Sequence, residues 1–131
     1  MADVFSREWA EAFAERWNGD NDMVIPLFTQ GFSAVIALGY PGQADPSVLL
    51  EVDNGRVLRA GLYQPASRTT IDWDLRASRE QWAAWRQKPL EITGVSVAVN
   101  KGILEFRSGD YRKLMRTPEL AKAFLRFFTL L

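Results

Sequence analysis

The sequence predicts an α+β fold, and three observations carry that prediction. Residues near the start place apolar side chains at helical spacing, the middle of the chain runs through four segments with strand chemistry, and helical spacing returns from Ser78 onward. Helix, then strands, then helices around one more strand is the order expected of helices packed on a largely antiparallel sheet. At 131 residues the chain is long enough for a core of its own, and residues 1–131 read as one domain without repeats, linkers or low-complexity segments.

Taken in order, Ser6 can cap a first helix running to about Trp17, with Trp9, Ala12, Phe13, Arg16 and Trp17 on one stripe. Asn18-Gly19-Asp20-Asn21 ends it with turn chemistry. Met23 to Phe28 is apolar but contains Pro26, which predicts a short helical turn or an irregular connector. Strands are predicted over Phe32–Tyr40, Val48–Asp53, Arg56–Tyr63 and Thr69–Arg76. Asp53-Asn54-Gly55 joins the second to the third as a hairpin, because Asn-Gly tolerates the positive φ of a tight turn. The fourth alternates, with Ile71, Trp73 and Leu75 facing one way and Thr70, Asp72, Asp74 and Arg76 the other, as in a half-buried antiparallel sheet.

Ser78-Arg79-Glu80-Gln81 fits a capping box opening a second helix, on which Trp82 and Trp85 share a face before Pro89 stops it. Ile92–Asn100 is the ambiguous stretch, since Val95, Val97 and Val99 alternate with Ser96 and Ala98 and local propensity reads strand. Ile103–Arg107 reads as a fifth strand with Leu104 and Phe106 on one face, and Ser108-Gly109-Asp110 turns the chain into a helical region beginning near Tyr111. Pro118 suits the first turn of a fresh helix capped by Thr117, with Glu119 favourable beside the dipole. That helix ends in Phe124, Leu125, Phe127, Phe128, Leu130 and Leu131. As a helix these six cover an arc of roughly 220°, about twice the stripe a surface helix hides, so they must meet a second layer, another subunit or an apolar ligand.

Composition excludes several function classes. Lys+Arg and Asp+Glu both number 16, so no net field favours nucleic acid or an anionic membrane. With no Cys there is no disulfide or thiolate chemistry. With no His, the commonest general base and metal ligand are missing. No secretory leader core or membrane-length apolar run is evident, so the expectation is a cytoplasmic, non-catalytic domain without metal or other cofactor and without stable membrane insertion. Asp72 and Asp74 share a strand face but make a poor metal set, and they read as a solvated cross-strand charge ladder facing Arg56 or Arg59. Glu51 and Asp53 read the same way, and Gly39-Tyr40-Pro41-Gly42 is a turn rather than a phosphate loop.

The run Lys101-Gly102-Ile103-Leu104-Glu105-Phe106-Arg107-Ser108-Gly109-Asp110, with a closing helix after it, resembles the C-terminal signature of the sterol carrier protein-2-like domains, a Gly-x-Leu strand followed by Gly-Asp and a helix. Gly102, Leu104, Gly109 and Asp110 carry the match; the Val52-Asp53-Asn54-Gly55 hairpin and the Thr70–Leu75 strand fit the same layout, from about Trp9 to Phe127. The resemblance implies a five-stranded, mostly antiparallel sheet covered on one face by helices, with an apolar tunnel between. It also places a short helix before the Gly-x-Leu strand, and we follow it there over Ile92–Asn100. It implies binding of fatty acyl chains, acyl-CoA, sterols or similar lipids. The apolar contacts would be drawn from Trp82, Trp85, Val95, Val99, Phe106, Leu114, Phe124, Phe127 and Phe128, although the tryptophans and the tail phenylalanines can equally be core. Arg112, Lys113 and Arg116 would meet an anionic head group, or serve as ordinary partners of helix C-termini. Two other functions fit the same residues. One is an interaction or dimerisation module, including a homodimer through the C-terminal helix, acting with a partner enzyme; the other is a small nuclear transport factor 2-like enzyme.

Overall fold

In the computed structural model, residues 3–66 and 69–131 are described. Among them are α1 (Arg7–Asn18), α2 (Asn21–Thr29), β1 (Ala34–Gly39), β2 (Val48–Asp53), β3 (Arg56–Leu62), β4 (Trp73–Arg76), α3 (Arg79–Gln87), α4 (Ile92–Asn100), β5 (Glu105–Ser108), α5 (Tyr111–Arg116) and α6 (Pro118–Leu130). The strands form one sheet in the order β3-β2-β1-β4-β5. Three neighbouring pairs are antiparallel, and β1 and β4 run parallel, so the predicted mostly antiparallel sheet is mixed at its centre.

Local chemistry accounts for the element ends. Ser6 and Ser78 accept hydrogen bonds from the backbone N–H groups of Trp9 and Gln81, as N-caps do. Asn54 and Gly55 both take positive φ, the backbone that the tight turn between β2 and β3 demands. Residues 23–28 are not a mere connector but belong to the nine-residue helix α2, in which Pro26 is accommodated. Asp20 caps that helix by accepting from Met23 N–H, and burial of Met23, Val24 and Leu27 outweighs the propensity cost of the proline.

Residues 92–100 are helical, against their local propensity and in keeping with the family layout. A strand would give Val95, Val97 and Val99 one environment. Instead Val95 and Ala98 are buried, Val97 is exposed and Val99 is half-buried, which is helical spacing. Strand β4 begins four residues later than predicted because the Asp72 carboxylate and backbone take over the edge: Oδ2 accepts from Val35 N–H at 2.8 Å, and Asp72 N–H donates to the Val35 carbonyl at 2.9 Å. Thr117 occupies the cap position of α6, but its hydroxyl turns back to donate to the Lys113 carbonyl and makes no cap hydrogen bond, contrary to the expected role.

The helices cover one face of the sheet and supply the core with Trp9, Phe13, Trp82, Val95, Phe127 and Phe128 against Leu38, Leu50 and Leu75. Five of the six large side chains at the end of α6 are buried, and Leu125 is half-buried on the outer side. The surplus arc is therefore absorbed by a second layer: Phe127 meets Phe13 of α1 edge-on at 5.4 Å, and Phe128 meets Trp85 of α3 at 5.4 Å.

The opposite face is built differently. Asp74 and Arg76 point away from the helices, as predicted for that strand face, but they are not solvated and do not face Arg56 or Arg59. The strand order puts β4 between β1 and β5, with two strands between it and β3. Asp74 instead receives Nε and one Nη of Arg76, at 2.6 and 3.0 Å. The remaining guanidinium hydrogens go to the carbonyls of Tyr40, Gln43 and Ala44, in the loop that crosses this face. All five donors of a side chain that is 1% exposed are thereby used. Of the ladder read for Glu51 and Asp53, Glu51 lies opposite Arg59 and 3.6 Å from it, while Asp53, opposite Arg56, accepts from the Ser33 hydroxyl.

Candidate functional site

Between the sheet and the helical layer lies a cavity of about 50 Å³. The sheet contributes Ile36 of β1, Trp73 and Leu75 of β4, and Phe106 of β5, all on the helix-facing side by strand alternation. Trp17 of α1, Met23 and Leu27 of α2, and Leu114 of α5 close it laterally. Its roof is α6, through Leu120, Ala123, Phe124 and Phe127, and Phe32 stands at the approach to β1.

The wall contains no ionisable residue. The Trp17 indole N–H is already given to the Gly55 carbonyl at 2.8 Å, and among the described residues no buried side-chain nitrogen or oxygen is left without a partner. A space so lined stays dry and takes apolar matter. On the same measure a water needs about 10–15 Å³, so there is room for roughly three or four water-sized spheres. Sites that enclose whole small molecules run to about 300–1,000 Å³. The cavity as it stands is several-fold smaller than such a site.

Most wall residues are buried, and four are only partly so: Phe32, Trp73, Phe106 and Leu120. They frame the mouth. Trp73 and Phe106 meet edge-on at 6.2 Å, and Phe106 continues to Phe124 at 5.8 Å, so the mouth is an aromatic corner joined to the roof. Gly109 backs the Trp73 ring. Its φ is +104°, and a Cβ there would fall 2.2 Å from a ring carbon, so the Gly-Asp turn is what lets the indole lie against the main chain.

Of the residues singled out from sequence, Phe106, Leu114, Phe124 and Phe127 come together in this wall. Trp82, Trp85 and Phe128 are packed beside it as core. Trp82 is fully buried, donates its N–H to the Gly39 carbonyl at 3.0 Å and touches Trp85 edge-on. Val95 is buried in the core and Val99 packs against it, outside the cavity wall. Arg112, Lys113 and Arg116 are exposed on α5, and none of them contributes to the wall. Sequence reasoning missed Trp17, Met23, Leu27, Phe32, Ile36, Trp73, Leu75, Leu120 and Ala123 as wall residues. Helical and strand periodicity marked several of these as inward-facing, but periodicity carries no information about which inward positions border a void.

The charged groups with displaced titration lie around the helices rather than in the wall. A hydrogen bond from Arg126 holds the Asp20 carboxyl below the ordinary carboxylate range, and the same contact raises Arg126. Burial, followed by repulsion from Arg86, lowers Arg16, whose guanidinium donates to the carbonyls of Leu130 and Leu131 at 2.7 and 3.1 Å.

A mixed five-stranded sheet with helices on one face and an apolar cavity under the last helix defines an α+β class, the sterol carrier protein 2-like fold. A crystal structure of sterol carrier protein 2 superposes with a TM-score of 0.70 at 20% identity, covering 97% of this chain and 95% of that one. A UbiJ-SCP2 ubiquinone synthesis protein gives 0.60 at 12% identity over 92% and 85%. A conserved hypothetical protein from Thermus thermophilus, described as possibly a sterol carrier protein, gives 0.59 at 21% identity over 95% and 89%. No family model matches the sequence, and neither does any curated protein. Among the described residues no helix is long and apolar enough to cross a membrane.

Proposed function

We propose that this chain binds the hydrocarbon part of a lipid, a fatty acyl, acyl-CoA or sterol-like molecule, in the cavity beneath α6 and carries it without catalysing its conversion. One observation supports this above the rest: the cavity wall is entirely apolar and opens between Phe32, Trp73, Phe106 and Leu120. The fold shared with sterol carrier protein 2 supports it further. In this reading the protein acts in the cytoplasm, as a single domain over residues 1–131. Trp82, Trp85, Val95, Val99 and Phe128 then stabilise the cavity from behind. Arg112, Lys113 and Arg116 lie outside it, where they can meet an anionic head group only beyond the mouth. Native mass spectrometry of freshly purified protein is expected to show a co-purified lipid mass, and a fluorescent fatty acid is expected to bind and be displaced at micromolar concentrations. Absence of both results would remove the proposal.

A second reading, an accessory module that docks on a partner or on a second copy, has its own observation. Ile25 on α2 and Ile92 on α4 are 58% and 54% exposed. With Leu125 on the outer side of α6 they line a broad open groove. The groove mixes these apolar side chains with charged ones, Asp22, Lys88, Glu91, Lys122 and Arg126 among them, as the core and rim of an interface do, and one structural neighbour is described as a ubiquinone synthesis protein. Sedimentation equilibrium separates the cases: a dimer through α6 is expected to dissociate in Leu125→Asp, whereas a monomer of unchanged mass across concentrations removes self-association.

A further inference from the structure

Nine of the thirteen wall residues are buried, and the four at the mouth are partly buried against the core. At the mouth, Trp73 is unlike its neighbours. It is the first residue of β4, anchored by main-chain pairing with Ile36 and, one residue earlier, by the two Asp72–Val35 hydrogen bonds. Its backbone is thus fixed while its ring is half-exposed. The ring has the cavity on one side and the Cβ-less Gly109 on another. It meets Phe106 through a single edge contact at 6.2 Å, the long end of the aromatic range. Phe106, by contrast, also touches Tyr111 and Phe124 at 5.3 and 5.8 Å, and is braced on three sides.

Resting on the lipid-binding reading above, we propose that Trp73 is the specificity-determining residue of the cavity: its indole, seated on Gly109, sets the girth of the hydrocarbon chain that can pass the mouth. The closed space of about 50 Å³ takes a slim linear chain end, and a branched or ringed one meets the indole first. Rejection by a filled apolar site is worth about tenfold or more for each misfitting methylene, enough for one large ring to decide between chain shapes. Removal of the ring widens the mouth without adding a polar group to the wall.

The test compares two probes of equal carbon number and identical head group, one with a linear chain and one with a methyl-branched or ring-containing chain, in displacement of a fluorescent fatty acid. Wild type is expected to prefer the linear probe, and Trp73→Ala to move the affinity ratio toward the bulky probe by about tenfold or more. Trp73→Phe keeps an aromatic strand residue and is expected to move the ratio the same way by a smaller factor; it carries the test if the alanine variant does not fold. A ratio unchanged in whichever variants fold, with the linear probe still bound, overturns the role of Trp73 and leaves the lipid-binding reading standing. Binding of neither probe to wild type overturns both.

Discussion

The two faces of the sheet bury β4 by opposite chemistries. On the helix side, Trp73 and Leu75 meet rings and aliphatic chains with slack between them, a dry space with no directional bond across it. One residue along, on the other side, Asp74 and Arg76 lie under the loop at residues 40–47 with every guanidinium hydrogen assigned, and Arg107 of β5 adds donors to the carbonyls of Pro41 and Gln43. Apolar contacts are non-directional and tolerate a void of modest size, whereas a buried charge tolerates no missing partner. A sheet so built can be rigid on one side and yielding on the other, and the yielding side is the one that a ligand would enter.

This contrast predicts a ranking of mutational effects. Arg76→Ala or Asp74→Ala, each leaving a buried partner uncompensated, is expected to cost about 3–5 kcal/mol in chemical denaturation. The double variant Asp74→Leu/Arg76→Met is expected to recover much of it, and a loss below about 1 kcal/mol in the single variants would erase the contrast. Gly109→Ala drives a Cβ into the Trp73 ring at a positive φ and is expected to cost about 1–3 kcal/mol. Ala123→Leu sharpens the comparison from the other side. Added volume at the roof has empty space to enter, so stability is expected to stay within about 1 kcal/mol of wild type or to rise, while binding of a fluorescent fatty acid is lost. Strong destabilisation by that variant would mean that the roof has no slack.

The smallest effect is on acid stability. The Asp20 carboxyl is held below its unfolded value, chiefly by the hydrogen bond from Arg126, so its contribution is present above the unfolded pKa of about 3.9 and fades as pH falls through the lowered folded value. Thermal midpoints measured from neutral to strongly acid pH are expected to drop less steeply on the acid side in Asp20→Asn than in wild type. Parallel curves would assign the pair no role.

Much of the architecture is legible in the sequence because short-range chemistry determines it. The caps at Ser6 and Ser78, the Asn54-Gly55 turn and the amphipathic tail each follow from side chains acting within a few residues. The features that escape depend on distant partners. Residues 92–100 escape local propensity, which reads strand, and are read as a helix only through the family resemblance; burial of Val95 and Ala98 in the core decides the matter. Alternation alone assigns Asp74 to partners across the sheet, yet its partner is two residues along the same strand, and only the loop crossing that face reveals why both are buried. The cavity is legible in part, through Phe106, Leu114, Phe124 and Phe127. Its sheet-side wall and Trp17 are not, because an unfilled volume belongs to several elements at once, and no single stretch of sequence encodes it.

The contact between α1 and α6 has a temporal side. The Trp9 indole donates to the Leu131 carbonyl at 3.1 Å across 122 residues, and Arg16 grips the same end of α6. The roof of the cavity is therefore fastened to a helix made far earlier in time. At roughly 5–20 residues per second, the roughly 100 residues between these helices take about 5–20 s to synthesise. From its own synthesis until α6 is made, the apolar face of the sheet, Leu38, Leu50 and Leu75, lacks its last cover. The helix that roofs the cavity in the finished protein is thus also the last cover to reach that apolar face.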